Sequence, residues 1–189
     1  TEQEVLALYR AEIDCLTQRL RDILIEKACS KWTGAYLGGK LLAKNVYKAG
    51  CDENRIFSKK TNPNKPMYDI YLGVDSSGSM QGSNAERAFE ATCILKRVSE
   101  KLGFNIRIWK WDTESQEITD KVDKAREANG GGTYDECLFR EIAKVIRPEN
   151  QSIVYVITDG QTAKSEGRQT LIDKISKTGI IYGIGIGEV

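Results

Sequence analysis

From residue 68 onward, hydrophobic positions fall into short apolar runs separated by stretches of mixed character. The runs are typical of buried strands and lie at 68–74, 104–111, 152–158 and 180–186. Between them, apolar residues recur every three or four positions, which predicts helices at 84–102, 134–146 and 166–178. A further short strand near 116–119 follows a tight turn. This alternation predicts an α/β fold with a mostly parallel central sheet, one antiparallel edge strand and helices on both faces.

The first 66 residues have a different pattern. Residues 3–29 predict one amphipathic helix, whose apolar stripe comprises Val5, Leu8, Ile13, Leu16, Leu20, Ile23 and Leu24. A second helix is predicted at about 38–49, and the polar stretch 58–66 holds two of the three prolines. We therefore expect an N-terminal helical segment with a linker at 1–66 and an α/β domain at 67–189.

Composition narrows the chemistry. The 189-residue chain has a net charge of +1 and contains no histidine, which excludes Ser-His-Asp catalysis and histidine-ligated zinc within it. Its five cysteines are odd in number and widely spaced, as expected in a reducing cytosol. No apolar run reaches the 18 residues or so that a membrane span needs. We expect a cytoplasmic protein that binds neither nucleic acid nor membrane.

Polar residues gather where the predicted strands end. The strand at 68–74 runs into "DSSGSM" (75–80), the strand at 152–158 runs into Asp159-Gly160, and Thr133 follows three glycines. The carboxyl ends of parallel strands meet at one edge of a sheet, where ligands of such folds bind. Five oxygen-bearing side chains are therefore expected to converge there: Asp75, Ser77, Ser79, Thr133 and Asp159.

Oxygen ligands without nitrogen or sulfur suit Mg²⁺, with Mn²⁺ or Ca²⁺ as alternatives. Two aspartates balance the charge of a divalent ion, while hydroxyl groups coordinate it without adding negative charge. A ligand position remains for an outside anion, for which an Asp or Glu carboxylate of a partner protein is the natural choice. The sequence thus predicts a metal bridge between two proteins.

The D-x-S-x-S motif after a hydrophobic strand, the Gly-Gly-Thr loop and the "ITDG" strand end resemble the von Willebrand factor A (vWA) domain with its metal-ion-dependent adhesion site (MIDAS). The resemblance covers about 68–189 and implies a Rossmann-like fold without catalytic activity. It implies Ser77 and Ser79 as direct ligands, with Asp75, Asp159 and Thr133 direct or through water. The family's usual last helix is not found after Gly187, so we expect a domain truncated at its C-terminal end or completed by residues 1–66.

A narrower resemblance involves "GGKLLAKNVYKAG", "RIFSKK" and "DIYLGVDSSGSMQG". These segments are similar to the lead-in of bacterial A-domain proteins that work beside MoxR-type AAA+ ATPases, such as the cobalt-chelatase A-domain subunit and the nitric oxide reductase activation protein. This likeness implies an accessory role in metal insertion or in remodelling of protein complexes.

Other interpretations stay open. Asp75 and the serines could cap the following helix. Asp75 could act in a Mg²⁺-dependent phosphatase or hydrolase, although Ser77 stands where haloacid-dehalogenase-type phosphatases have a second aspartate. The stretch "GAYLGGKL" (34–41) nearly matches a P-loop but has Leu41 in place of the hydroxyl residue. The nine Lys and Arg residues within 27–66 would be the only basis for nucleic-acid binding.

Overall fold

The computed structural model describes residues 1–24, 31–36, 40–41, 57–61, 68–128, 130–160, 162 and 166–187. The chain divides into two compact units. One combines Thr1–Arg19 with Met67–Val189, and the other is Leu20–Pro66. The first residues of the chain therefore belong to the larger unit rather than to a separate segment ending at residue 66.

Two helices begin the chain, α1 (Glu2–Leu8) and α2 (Arg10–Leu24), separated at Tyr9. The single helix predicted over 3–29 is thus interrupted, and residues 25–29 lie outside the described ones. Of the predicted apolar stripe, Val5 and Ile13 are buried, whereas the Leu8 side chain is 72 % exposed.

The smaller unit, taken by itself, contains a three-stranded antiparallel sheet. Its strands are β1 (Lys31–Tyr36), β2 (Lys40–Leu41) and β3 (Phe57–Thr61), in the order β1-β3-β2. The helix predicted at 38–49 is wrong at residues 40–41, and its other positions lie outside the described residues. Local periodicity favoured a helix there, but Leu41 pairs with Phe57, a partner that no local pattern reveals.

This backbone also bears on the near-match to a P-loop. In a P-loop the first glycine follows a strand and the lysine opens a helix. Here Gly34 lies inside β1 and Lys40 lies in β2. The described backbone therefore does not have the strand–loop–helix order of a phosphate-binding loop.

The larger unit is built on a five-stranded sheet. Its strands are β4 (Tyr68–Asp75), β5 (Asn105–Trp111), β6 (Ser115–Glu117), β7 (Gln151–Thr158) and β8 (Gly179–Gly185). The order is β6-β5-β4-β7-β8, and all neighbours are parallel except the β5–β6 pair at one edge. The predicted α/β fold, with a mostly parallel sheet and one antiparallel edge strand, is confirmed.

Three further helices connect the parallel strands: α3 (Ser83–Leu102), α4 (Glu136–Val145) and α5 (Glu166–Ser176). Gly103 ends α3 in the left-handed conformation, with φ of 72°, which glycine adopts without steric cost. Short 3₁₀ turns occupy Gly78–Met80 and Val122–Arg126. Within the described ranges, no helix combines the length and the apolar character needed to cross a bilayer.

Side chains on the two faces of β4 enter separate hydrophobic cores. Leu72 and Val74 pack with Phe89 of α3 and with Val5 of α1. Tyr71 faces the other way, into a cluster formed by α4, α5 and β7 residues. All eight residues of β4 are buried, as expected for a central strand with helices on both faces.

The amino end of β4 carries a buried charge with a complete set of partners. Asn105 and Asn150 each donate a hydrogen bond to the Asp69 carboxylate, at 2.8 and 2.9 Å. Arg147 donates two more, at 2.9 and 2.7 Å. Burial alone would raise the pKa of the Asp69 carboxyl, but these hydrogen bonds outweigh burial and lower it.

Gly73 tests the packing of β4 against α4. A Cβ atom at this position would overlap Leu138 Cδ2, so Gly73→Ala should lower the free energy of unfolding by about 1–3 kcal/mol. Gly183→Ala, in β8, is the matched control because a Cβ there meets nothing within 4 Å. Urea unfolding measures both variants. Equal stability of the two would contradict the packing described here.

Asp69 should make stability depend on pH. Its folded-state pKa is lowered, so its contribution is fully present above the unfolded-state pKa of about 4 and is lost as the pH falls through the folded-state value. Asp69→Asn should therefore cost about 1–3 kcal/mol at neutral pH and remove part of the stability loss on acidification. Urea titrations between neutral pH and about pH 3 measure this. An unchanged acid-side slope would show that Asp69 is not the responsible group.

Candidate functional site

The candidate site lies where strand connections diverge at the carboxyl edge of the sheet. The chain leaves β4 through α3 towards β5 on one side, and leaves β7 through α5 towards β8 on the other. Neighbouring strands whose connections run in opposite directions leave a crevice between their loops. Asp75 ends β4 and Asp159 follows β7, so both belong to this switch point.

The loop after β4 brings three of the five predicted residues together. The Ser77 N–H donates a 2.8 Å hydrogen bond to Asp75 Oδ1, and the Ser77 and Ser79 hydroxyl oxygens lie 3.1 Å apart. Asp75 and Ser77 are buried, whereas Ser79 is exposed. Ser76 turns away and bonds the carbonyl oxygen of Trp111. The alternate residues of D-x-S-x-S, Asp75, Ser77 and Ser79, thus lie together, whereas Ser76 contacts β5.

The loop after β7 is tied to the same carboxylate. Thr158 Oγ1 donates a 2.7 Å hydrogen bond to Asp75 Oδ2 and accepts one from the Gly160 N–H at 3.2 Å. Asp159 stands between these two residues and is half-buried. Gly160 has φ of 89°, a conformation that glycine adopts without steric cost. Asp75 therefore fixes both loops at once.

The glycine-rich loop completes the crevice. The space beside Gly78 is closed by Gly130, because a Cβ at Gly78 would lie 3.6 Å from Gly130 Cα. Downstream, the Tyr134 N–H donates a 3.0 Å hydrogen bond to the Asp112 carbonyl oxygen. Thr133 lies between these anchors and is half-buried. The loops that carry the five predicted residues are thus adjacent.

Three residues of this region were not identified from the sequence: Thr158, Asp112 and Asp135. Asp112 directly follows β5, just as Asp159 follows β7, and its Oδ1 accepts hydrogen bonds from Thr113 and the Glu114 N–H. A recurring acid after parallel strands was a signal available in "WKWDTE". The only sequence signal for Thr158 was its position in the "ITDG" segment. Its contact with Asp75 depends on the pairing of β4 with β7, which the segment does not reveal.

Asp135 is a second buried carboxylate beside the crevice. It follows Thr133 by two residues and is only 2 % exposed. Arg168, near the start of α5, holds its Oδ2 at 2.8 Å. Burial raises the pKa of the Asp135 carboxyl, Arg168 opposes this effect, and the negative charge of Asp75 adds to the rise. The two carboxylates therefore repel each other across the site.

The donor set can be tested for its fit to a small divalent cation. Two ligands at right angles, each about 2.0–2.1 Å from Mg²⁺, lie about 2.9 Å apart. The separation of 3.1 Å between the Ser77 and Ser79 oxygens is close to that value. Within the described part of the chain, no three Asp, Glu, Cys or His side chains group to hold a metal. A cation at this edge would need the hydroxyl oxygens, and these are suitably spaced.

Comparison with known proteins agrees with the fold. No family model matches the chain. A von Willebrand factor A domain-containing protein of Dictyostelium discoideum is 30 % identical over 136 residues. The match covers 63 % of this chain but only 15 % of that protein, so the chain spans a small part of its relative's length.

Solved structures extend this comparison. BatB, a conserved hypothetical protein from Bacteroides thetaiotaomicron, matches with a TM-score of 0.51 at 16 % identity, over 64 % of this chain and 67 % of BatB. An aerotolerance-related membrane protein from Bacteroides fragilis gives 0.50 at 15 % identity, over 64 % and 68 %. Proximal thread matrix protein 1 from the mussel byssus gives 0.51 at 14 % identity, over 65 % and 38 %. Together with the relative above, they support a vWA-like fold for this chain.

Thr158 should hold Asp75 in place even without a cation. In Thr158→Val the buried carboxylate loses a hydroxyl donor, so the free energy of unfolding in EDTA should fall by about 1–3 kcal/mol. Thr158→Ser keeps the hydroxyl and should lose less. Urea unfolding in EDTA measures both, and a valine variant at least as stable as the serine variant would show that this hydrogen bond is unimportant.

Proposed function

We propose that this chain is a non-catalytic protein-interaction module that binds its partner through a divalent cation, Mg²⁺ in the first place and Mn²⁺ or Ca²⁺ as alternatives. The cation ligands would be Asp75, Ser77, Ser79, Thr133 and Asp159. A vWA-like fold supports an interaction role in general. The observation that carries the proposal is the Asp75 carboxylate, which joins the loops after β4 and β7 through hydrogen bonds to both of its oxygens.

The chain's own residues would prepare the site for the cation. The Ser77 N–H and the Thr158 hydroxyl orient the Asp75 carboxylate, and each of its oxygens retains a further lone pair. Asp75 and Asp159 would balance the double positive charge, and the hydroxyl groups would add ligands without charge. When bound, the cation would supply a positive centre that accepts an Asp or Glu carboxylate of the partner.

For the partner we propose an AAA+ ATPase of the MoxR type, with the chain acting in the cytoplasm as its accessory in metal insertion or in remodelling of protein complexes. This part rests on the sequence resemblance of 38–50, 55–60 and 69–82. The ATPase would present the acidic side chain that completes the coordination of the cation.

A Mg²⁺-dependent hydrolase that uses Asp75 is the alternative. A nucleophilic carboxylate must be reachable by the substrate and needs a neighbouring acid or base. Asp75 is only 2 % exposed and both its oxygens already accept hydrogen bonds. Ser77 occupies the position of the second aspartate and the chain has no histidine. These observations favour binding over catalysis.

Calorimetric titration of Mg²⁺ and Mn²⁺ into cation-free protein tests the site. The wild-type chain should bind one ion, Asp75→Ala should abolish binding, and Ser77→Ala should weaken it at least about tenfold. The Ser77 variant should keep its cooperative melting transition, because the hydrogen bond to Asp75 Oδ1 comes from the backbone N–H of residue 77, which alanine retains. Ser152→Ala is the matched control, because Ser152 is equally buried but lies at the opposite edge of the same sheet, at the start of β7.

Two results would contradict the proposal. One is the absence of Mg²⁺ or Mn²⁺ uptake by the wild-type chain. The other is turnover of an aryl phosphate that depends on Asp75, which would establish the hydrolase instead.

For the partner, capture of the AAA+ ATPase should be lost in EDTA and with Asp159→Ala. Capture that persists under both conditions would separate partner binding from the cation.

A further inference from the structure

A buried aspartate paired with an exposed arginine lies at each of the two ends of the strands, and the two aspartates differ in how fully their oxygens are satisfied. Asp69, at the amino edge, is 2 % exposed, and both its oxygens accept hydrogen bonds from Arg147 and from two asparagines. Asp135, at the carboxyl edge, is equally buried, but only its Oδ2 meets Arg168. Its Oδ1 has no hydrogen-bond partner within the described structure.

An unpaired carboxylate oxygen at this depth is costly, because burial removes water without replacing its hydrogen bonds. Local packing fixes the Asp135–Arg168 pair where it is. The start of α5 lies directly on the start of α4, and a Cβ at Gly167 would come within 2.9 Å of the Glu136 carboxylate. The Phe139 N–H also bonds the Asp135 carbonyl oxygen and continues α4. The side chain is thus held beside the crevice.

The nearby charges indicate what the open oxygen can accept. The Tyr134 N–H, next to Asp135, bonds the carbonyl oxygen of Asp112 just beyond the end of β5, and Asp75 pairs with Trp111 at that same strand end. A cation between or beside two carboxylates would offset the repulsion between their negative charges. The positive charge of Arg168 offsets the negative charge of Asp135. The net charge of the site therefore stays close to that of Asp75 and Asp159 alone.

We propose that Asp135 is a further carboxylate of the cation site, whose open oxygen receives a water bound to the cation, and that Arg168 positions this carboxylate and moderates its charge. The inference rests on the proposed function and adds a residue to it. A carboxylate in this place strengthens cation binding through a hydrogen bond to a bound water. Arg168, by contrast, weakens cation binding through its positive charge.

Two substitutions break the same ion pair and give opposite predictions. Asp135→Asn removes the negative charge and should weaken Mg²⁺ and Mn²⁺ binding about 10–100-fold. Arg168→Gln removes the positive charge and should raise the affinity. If the pair served only to join α4 to α5, both variants would change affinity in the same direction and to a similar extent. Titration calorimetry on the full chain measures the affinities, and melting curves in EDTA report folding.

Asp69→Asn is the matched control, since it removes a carboxylate with the same burial and the same type of partner at the other edge. It should lower stability and leave the cation affinity unchanged. Affinities at about 0.1 M and about 0.5 M KCl separate a local contact from a distant field, because salt screens the latter. A loss in Asp135→Asn that persists at high salt supports the contact, and a loss that disappears overturns it.

The possible outcomes separate the role proposed for Asp135 from the proposed function of the chain as a cation-dependent interaction module. If the wild-type chain takes up neither ion, both fail. If the wild-type chain binds and Asp135→Asn binds equally well, only the role of Asp135 is overturned. Should Asp135→Asn fail to fold, Arg168→Gln still decides: a raised affinity in that variant supports the proposal, and an equal or weakened one contradicts it.

Discussion

The parallel pairing of β4 with both β5 and β7 is the constraint on which the rest of the structure depends. It places β4 at the centre with every residue buried, and it aligns the carboxyl ends of three strands, so that Asp75 lies opposite Trp111 in the register. The loops that follow these strands are therefore neighbours although they are far apart in sequence. The hydrogen bond from Thr158 to Asp75 joins two of those loops and exists only because β4 and β7 end together.

Much of the larger unit follows from local sequence. A strand buried on both faces is mainly apolar, so the central strands β4 and β7 could be predicted from their apolar runs at 70–74 and 153–157. Gly103 marked the end of α3, since a left-handed residue there favours glycine. The acidic and hydroxyl residues at the strand ends could be recognised for a related reason, because clustered polar side chains directly after a buried apolar run indicate a binding site. The prediction that they converge rests on the rule that the carboxyl ends of parallel strands lie at one edge of the sheet.

The errors have physical causes. Leucine-rich spacing at 3–29 fits a helix throughout, but the helix is interrupted at Tyr9, whose hydroxyl donates a hydrogen bond to Glu90 of α3, a partner that local spacing does not reveal. The strands of the smaller unit depend on partners up to 30 residues away, as with Lys31 and Thr61, so periodicity alone misassigned residues 40–41. Thr158 and Asp135 were missed because their roles depend on which oxygens lie unpaired or within reach after folding, which spacing cannot supply.

The two edges of the sheet differ in how completely they satisfy buried charge, and the contrast supports the proposed site independently of any motif. At the amino edge, four hydrogen bonds satisfy Asp69, which makes that carboxylate a source of stability. At the carboxyl edge, Asp75 and Asp135 are equally buried, repel each other, and leave one oxygen without a partner. A fold that can satisfy a buried carboxylate completely at one edge has no structural need for this cost at the other. The cost is understandable if the missing positive charge comes from outside the chain.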